Sequence, residues 1–187
     1  MLRLFIAVEL SDRQKREVFE LQQRVKQYID GARWVRFDGM HLTLKFLGDT
    51  DENQIGQISE ALNKSSEPLK PFVLRYGGCG VFPGPQKARV LWLGVKEGAA
   101  QVIFLAENLE ESLSECGFQK EKRPYHPHLT IGRLRNPPPK DMIMKYIESE
   151  NTFLSSAVET PNVALFQSKL SPQGAEYTAL YRKSFQH

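Results

Sequence analysis

Two short stretches with the same pattern decide the fold of this chain: His41-Leu42-Thr43-Leu44 and His128-Leu129-Thr130-Ile131. The second begins 87 residues after the first, a little under half of the 187-residue chain. A histidine-apolar-threonine-apolar tetrad that recurs at this spacing indicates two related lobes. Each lobe is predicted to contribute one strand that carries the tetrad.

Strand geometry gives the tetrads a chemical meaning. Side chains on a strand point alternately to opposite faces, so His41 and Thr43 share one face. The apolar residues share the other face, where a hydrophobic core can bury them. His128 and Thr130 repeat this arrangement, so each strand is predicted to present an imidazole beside a hydroxyl.

The remaining pattern predicts an α+β fold. Apolar spacing predicts helices from Ser11 to about Tyr28, Glu52 to about Lys64, about Ala99 to Cys116 and Asp141 to Glu148, and alternation predicts strands that include Trp34–Phe37 and Phe153–Val158. Hairpin-like strand pairs favour antiparallel sheets over a doubly wound parallel sheet. We expect residues 1–187 to form one bilobal domain, with two antiparallel sheets in a pseudo-twofold arrangement, flanking helices and an active-site groove between the lobes.

Composition sets broad limits on the class of protein. Hydrophobic residues make up 41% and charged residues 25%, values ordinary for a packed globular domain. No apolar run approaches the ~20 residues that span a bilayer, and no signal peptide is evident, so a cytoplasmic protein is expected. The net charge of +3 is compatible with a polyanionic ligand without arguing for one. Cys79 and Cys116 are expected to be free thiols, with a disulfide as the alternative.

Two opposed His/Thr pairs suit chemistry at a phosphate diester. With an unperturbed pKa of about 6.5, one imidazole can protonate a departing oxygen while the other activates water. The threonine hydroxyls can bind the nonbridging oxygens. His126 lies two residues before His128, but no carboxylate or thiol cluster completes a ligand set, so neither a metal site nor a cofactor is expected.

The chain resembles the two-histidine phosphoesterase superfamily, and within it the RNA 2′,3′-cyclic phosphodiesterases, also called 2′-5′ RNA ligases. The stretches that carry the resemblance are Arg3-Leu4-Phe5-Ile6-Ala7-Val8, Trp34-Val35, His41-Leu42-Thr43-Leu44-Lys45-Phe46-Leu47-Gly48, Pro127-His128-Leu129-Thr130-Ile131-Gly132-Arg133, and Phe166-Gln167-Ser168 with Leu170, Gly174 and Tyr177. They cover nearly the whole chain, and together they are far more specific than either tetrad alone.

The resemblance implies metal-independent hydrolysis of 2′,3′-cyclic phosphate ends of RNA to 2′-phosphate ends. It implies that His41 and His128 are the catalytic pair and that Thr43 and Thr130 bind the phosphate. We expect His128 to activate water and His41 to protonate the leaving 3′ oxygen, although the reverse assignment stays open. Ligation through a 2′-5′ linkage would be the reverse step, with a 5′-hydroxyl in place of water.

Three residues beside the tetrads have two interpretations each. Strict alternation places Arg133 on the face of the strand opposite to that of His128, whereas a bulge at Gly132 would turn its side chain toward the phosphate. Parity places Lys45 on the face of His41 and Thr43, toward the site, but the strand twists, so a solvated lysine is expected. Phe46 falls with the leucines, so core packing is expected, with stacking on a base as the alternative.

The partner and substrate also have alternatives. RNA with a cyclic phosphate end, such as a tRNA fragment, is the expected partner, and a monomer suffices for the site. The same chemistry on a small cyclic or 2′-5′ nucleotide, or an RNA-binding module without turnover, are the other candidates. Further cations could line a groove for the RNA backbone, although surface charge is the expectation for any one of them: Arg36, Lys87, Arg89, Lys120, Lys122 and Arg123.

Overall fold

A computed structural model describes residues 1–172 and 174–186, so Gln173 and His187 lie outside the described residues. The strands are β1 (Leu2–Glu9), β2 (Ala32–Trp34), β3 (His41–Thr50), β4 (Phe72–Phe82), β5 (Val90–Glu97), β6 (His128–Leu134), β7 (Val158–Thr160), β8 (Asn162–Ser171) and β9 (Gly174–Ser184). The α-helices are α1 (Asp12–Val25), α2 (Ile55–Ser66), α3 (Ala99–Glu115) and α4 (Lys140–Glu150).

The strands form two antiparallel sheets. One sheet has four strands in the order β3-β1-β8-β9, and the other has five in the order β2-β6-β5-β4-β7. Each tetrad strand lies beside the strand that opens its half of the chain: β3 beside β1, and β6 beside β5. The predicted α+β class with two repeated lobes is confirmed.

The two halves of the chain repeat the same order of elements and exchange parts. The first repeat runs β1-α1-β3-α2-β4 and the second β5-α3-β6-α4-β8. The last strand of each repeat joins the sheet of the other repeat, so β4 pairs with β5 and β8 pairs with β1. Neither sheet is therefore built from one half of the chain alone.

The first helix of each repeat also crosses to the other sheet. A capping box of Ser11 and Gln14 starts α1, and the Gln14 side chain donates to the carbonyl of Leu74 in β4 at 2.9 Å. Gln22 donates to the carbonyl of Ile131 in β6 at 2.8 Å. These buried amides place α1 on the five-stranded sheet, and α3 packs on β3 of the four-stranded sheet in return.

The apolar residues of both tetrads are buried as predicted. Leu42, Leu129 and Ile131 are fully buried and Leu44 is 5% exposed, so the back of each tetrad strand is anchored in the core. Cys79 and Cys116 are free thiols. No helix in the described part of the chain is long and apolar enough to span a bilayer.

Two predicted strands differ from the structure. The strand expected over Trp34–Phe37 ends at Trp34, and a 3-10 turn over Phe37–Gly39 follows it. The strand expected over Phe153–Val158 begins only at Val158, because Leu154 makes an isolated bridge to Gly77 instead of a continuous ladder.

Candidate active site

Both tetrad strands carry a β-bulge at the same place. In β3, Thr43 lies opposite Ala7 of β1 and Lys45 lies opposite Ile6, so Leu44 has no partner. In β6, Thr130 lies opposite Trp92 and Gly132 opposite Leu91, so Ile131 has no partner. The unpaired residue follows the threonine in each strand, and it reverses the alternation of the side chains directly after it. In β3 a second irregularity leaves Leu47 unpaired as well.

The bulge in β6 turns Arg133 to the face of His128 and Thr130. Arg133 is exposed between buried Gly132 and Leu134. Burial lowers the pKa values of His41 and His128, and the positive charge of Arg133 lowers both further. Of the two interpretations of Arg133, the structure supports the bulge and not strict alternation.

The bulge in β3 makes the expectations for Lys45 and Phe46 wrong. Lys45 is buried, with 4% of its side chain exposed, and its ammonium lies 2.7 Å from Glu110 of α3. It also donates to the carbonyl of Gln119 at 2.8 Å. Phe46 is 61% exposed instead of packed in the core, and its ring lies 6.1 Å from that of Phe5.

His41 lies in an aromatic surround on the four-stranded sheet. Its ring centroid is 4.6 Å from that of Phe5 and 4.9 Å from the edge-on ring of Tyr177. Burial lowers the pKa of His41 to about 4, and a hydrogen bond to the backbone of Gly39 opposes this shift. The imidazole is therefore neutral at pH 7 before a ligand binds.

His128 is held in the same way on the other sheet. Its Nδ1 lies 2.7 Å from the carbonyl oxygen of His126, also two residues upstream. Burial lowers its pKa and this carbonyl opposes the shift. A proton on Nδ1 satisfies the carbonyl and leaves Nε2 free for a substrate. The ring of Phe82 contacts the imidazole edge-on at 4.9 Å.

The loop before β6 ties the second tetrad to the first. Tyr125 donates its hydroxyl to the carbonyl of Thr43 at 2.7 Å, and the backbone of Glu121 donates to Glu110 at 3.0 Å. Because the same Glu110 pairs with Lys45 behind the first tetrad, these contacts help to set the separation of the two motifs.

Both threonines lie beside their histidines as the tetrad pattern predicts. Thr43 and Thr130 are half-buried between fully or nearly buried apolar neighbours. Contacts between β3 and β6 and the hydrogen bond from Tyr125 to Thr43 place the two tetrads in one region. His126 packs beside His128 with ring centroids 6.2 Å apart. In residues 1–172 and 174–186, no three His, Cys, Asp or Glu side chains are grouped so that they could hold a metal ion.

Sequence reasoning missed the residues that support the histidines. Phe5 and Tyr177 beside His41, and Phe82 beside His128, are remote from the tetrads in sequence. The 87-residue repeat could have found some of the local features, because it relates Gly39 to His126 and Phe46 to Arg133. The backbone carbonyls of Gly39 and His126 each accept a hydrogen bond from the histidine two residues later. Phe46 and Arg133 each follow the bulge of their strand.

Comparison with known proteins agrees with the internal repeat. Residues 8–92 and 93–177 each match the family described as LigT like Phosphoesterase. A curated relative from Thermotoga maritima, named RNA 2′,3′-cyclic phosphodiesterase, is 35% identical over 99% of this chain and 96% of its own length. A relative of the same name from Methanothermobacter thermautotrophicus is 32% identical over 95% of both chains.

Solved structures share the arrangement of the two sheets. TT0787 of Thermus thermophilus has a TM-score of 0.81 and 26% identity, with 98% of each chain covered. E. coli LigT complexed with 3′-AMP has a TM-score of 0.79 and 21% identity, with 100% of this chain and 99% of that chain covered, and it shows the likeness of fold. With both repeats matched and the relatives aligned over nearly their whole lengths, the chain belongs to the LigT-like phosphoesterase family.

Proposed function

We propose that this chain hydrolyses 2′,3′-cyclic phosphate ends of RNA to 2′-phosphate ends, with His41 and His128 as the acid–base pair. The observation that carries the proposal is the matched setting of two imidazoles. Each follows a backbone carbonyl that holds one ring nitrogen, and each precedes a threonine on a strand that bulges at the same place. Relatives that carry the name RNA 2′,3′-cyclic phosphodiesterase support the choice of substrate.

The reaction balances with these two groups alone. His128 takes a proton from water as the water oxygen attacks phosphorus, and His41 gives a proton to the 3′ oxygen as the bond from phosphorus to that oxygen breaks. The product is a 2′-phosphate beside a free 3′-hydroxyl. Each proton transfer contributes typically 10²- to 10⁴-fold in rate.

The phosphate itself supplies the charge that His41 needs. Burial favours the neutral imidazole in the free protein, whereas the negative charge of a bound cyclic phosphate favours the protonated form. Thr43 and Thr130 donate their hydroxyls to the nonbridging oxygens, and the guanidinium of Arg133 balances the charge that grows on them.

Several finer assignments are part of the same proposal. Joining of RNA ends through a 2′-5′ linkage is the reverse reaction, in which a 5′-hydroxyl attacks the cyclic phosphate. The natural substrates are cyclic-ended fragments such as tRNA halves, hydrolysed in the cytoplasm by the monomer. The alternative substrate is a small cyclic nucleotide or 2′-5′ nucleotide, since the same histidines, threonines and arginine would serve it.

The test uses an oligoribonucleotide that ends in a 2′,3′-cyclic phosphate, incubated in EDTA with the wild-type protein, His41→Ala or His128→Ala. The wild type is expected to yield a 2′-phosphate end, and each variant to lose at least about 10²-fold in kcat, because each lacks one proton transfer. His126→Ala is the matched control, since it keeps the backbone carbonyl that holds His128 and is expected to lose far less.

Two outcomes would contradict the proposed mechanism. Activity that appears only when a divalent metal replaces EDTA would overturn the two-histidine chemistry. A 3′-phosphate product would mean that the other bond to phosphorus breaks, so the assigned leaving group would be wrong.

A further inference from the structure

Arg33 and Arg133 lie directly opposite each other on neighbouring strands. Arg33 is in β2, the edge strand of the five-stranded sheet, and pairs in register with Arg133 of β6. Directly opposed residues of an antiparallel pair project to the same face, where like charges destabilise the sheet. Both side chains are exposed. An anion placed between them would relieve the repulsion.

Arg36 adds a third guanidinium group at the same edge. A Cβ built on Gly174, at the start of β9, would lie 3.4 Å from Arg33 Nη2 and 3.8 Å from Arg36 Cδ. Both side chains therefore pass close to the start of β9, a strand of the other sheet. The same strand β9 carries Tyr177 against His41, so this basic edge adjoins the active site.

In the part of the chain that the structure describes, these three arginines have no acidic partner. Among residues 1–172 and 174–186, no carboxylate oxygen lies within 4.0 Å of the guanidinium of Arg33, Arg36 or Arg133. Some other surface arginines are paired, with distances to Glu oxygens of 3.4 Å for Arg13, 3.0 Å for Arg24 and 2.9 Å for Arg182. Others among the described residues, such as Arg16, also lack an acidic partner, so the three at this edge are distinguished by lying close together. Unpaired guanidinium groups that converge are suited to bidentate recognition of phosphate.

We propose that Arg33 and Arg36 bind the phosphodiester on the 5′ side of the terminal nucleotide, while Arg133 faces the cyclic phosphate. The site therefore recognises the end of an RNA strand and not only its last nucleotide. This inference rests on the proposed function for its orientation, because the cyclic phosphate at the two histidines fixes which phosphate reaches the edge. It gives β2 a role in substrate length selection.

The kinetic test compares a cyclic-ended octaribonucleotide with a nucleoside 2′,3′-cyclic phosphate, which has no 5′ phosphodiester. The double variant Arg33→Gln/Arg36→Gln is expected to lose about tenfold more kcat/KM on the octamer than on the mononucleotide, because two charge-assisted hydrogen bonds to the backbone are removed. Lys70→Gln removes one exposed charge before β4, at the end of that strand remote from Phe82 and His128. It is expected to change neither value.

A binding test needs no turnover. A labelled octamer that ends in a 2′-phosphate is titrated with the wild type and the double variant at several salt concentrations, with fluorescence anisotropy as the readout. A single strand contributes a slope of about −0.7 in log K against log salt for each phosphate neutralised. The double variant is expected to bind about tenfold more weakly at low salt and to have a slope shallower by about 0.7, since one phosphodiester is no longer neutralised.

The two tests separate failure of this inference from failure of the proposed function. Equal losses of kcat/KM on octamer and mononucleotide, or an unchanged affinity and salt slope, would overturn the assignment of Arg33 and Arg36. If the wild type hydrolyses neither substrate, the proposed function fails, and the anisotropy titration still decides whether the two arginines bind RNA. The thermal midpoint of the double variant, expected to equal or exceed that of the wild type because repulsion is relieved, guards against misfolding.

Discussion

Phe46 and Arg133 occupy equivalent places, five residues after the histidine of each tetrad. Both side chains project from the His/Thr face because each strand bulges just after the threonine. The scaffold is thus nearly symmetric while its chemistry is not, since one lobe offers an exposed aromatic ring and the other a guanidinium. A cyclic nucleotide has the same asymmetry, with a base at one end and an anionic phosphate at the other.

Phe46→Ala is expected to raise KM for a nucleoside 2′,3′-cyclic phosphate by about tenfold, since stacking of a base on an aromatic side chain contributes ~1–3 kcal/mol. Phe46→Tyr keeps the ring and is expected to stay close to the wild type. Because Phe46 is 61% exposed, neither substitution should change the free energy of unfolding by more than about 0.5 kcal/mol. Steady-state kinetics and urea denaturation measure the two effects separately.

A loss of stability in Phe46→Ala with an unchanged KM would contradict this account. That result would mean that the ring is needed for packing against Phe5 and not for a ligand.

At the scale of elements, the two faces of strand β3 differ: one carries the exposed Phe46, and the other is held to neighbouring elements by the buried Lys45. The ammonium of Lys45 joins β3 to Glu110 of α3 and to the carbonyl of Gln119. The same loop then carries Tyr125, which donates to the carbonyl of Thr43. The bulge that exposes Phe46 therefore also provides the buried cation that fixes the loop before the second tetrad.

Lys45→Met is expected to lower the free energy of unfolding by about 2–3 kcal/mol. Removal of one partner from a buried ion pair costs roughly 3–5 kcal/mol, and the value is smaller here because 21% of the Glu110 side chain remains exposed to water. The value of kcat is expected to fall as well, because the loop that carries Tyr125 loses an anchor. Urea denaturation and single-turnover kinetics give the two quantities.

Lys64→Met is the matched control, since it breaks an ion pair between α2 and α3 in which the side chains of Lys64 and Glu115 are 64% and 66% exposed. Exposed pairs contribute little, so a change within about 0.5 kcal/mol is expected. If Lys45→Met were no less stable than Lys64→Met, the buried pair would not anchor the loop.

The bulges also mark where sequence reasoning stops at this scale. The tetrads, their buried leucines and the helix stripes follow from alternation and helical periodicity, which are local properties of the chain. The positions of Lys45, Phe46 and Arg133 depend on which residue of β1 or β5 lies opposite, and no local pattern contains that register. In β6, a glycine inside the strand, Gly132, indicated a bulge in advance. In β3, the residues at the bulge, Leu44 and Lys45, are ordinary for a strand and gave no such indication.

At the scale of the whole molecule, the repeat predicted two lobes but not their exchange of parts. The crossing of β4 and β8 between sheets depends on long-range pairing. The buried side-chain amides of Gln14 and Gln22 hold α1 on the five-stranded sheet, since each donates a hydrogen bond to a backbone carbonyl of that sheet. A polar residue on the buried side of a helix is a weak signal before its partner is known.

This exchange makes both histidines sensitive to global unfolding. Each tetrad strand is in a sheet that contains segments of both halves of the chain, so neither lobe can unfold alone without exposing the other half's strand. The two half-buried imidazoles should therefore report on one cooperative transition, and their protonation should couple to the stability of the entire fold.

Unfolding free energy is expected to rise with pH between about 4 and 6.5. In the folded protein burial lowers the pKa of His41 to about 4 and also lowers that of His128, while both return to about 6.5 on unfolding. In this interval the unfolded chain binds protons that the folded chain does not, so falling pH favours unfolding. Above about 6.5 the histidines are neutral in both states and their effect vanishes.

Urea denaturation at pH 4.5, 5.5 and 7.5 measures this dependence in the wild type, His41→Gln and His41→Gln/His128→Gln. Carboxylates contribute equally in all three proteins, so the difference in slope isolates the histidines. The slope should become shallower with the first substitution and shallower again with the second, because glutamine does not titrate. An unchanged slope would mean that both imidazoles bind protons as readily in the folded protein as in the unfolded chain. In that case burial would not keep the imidazoles neutral, and His41 could carry the proton that it donates before the phosphate binds.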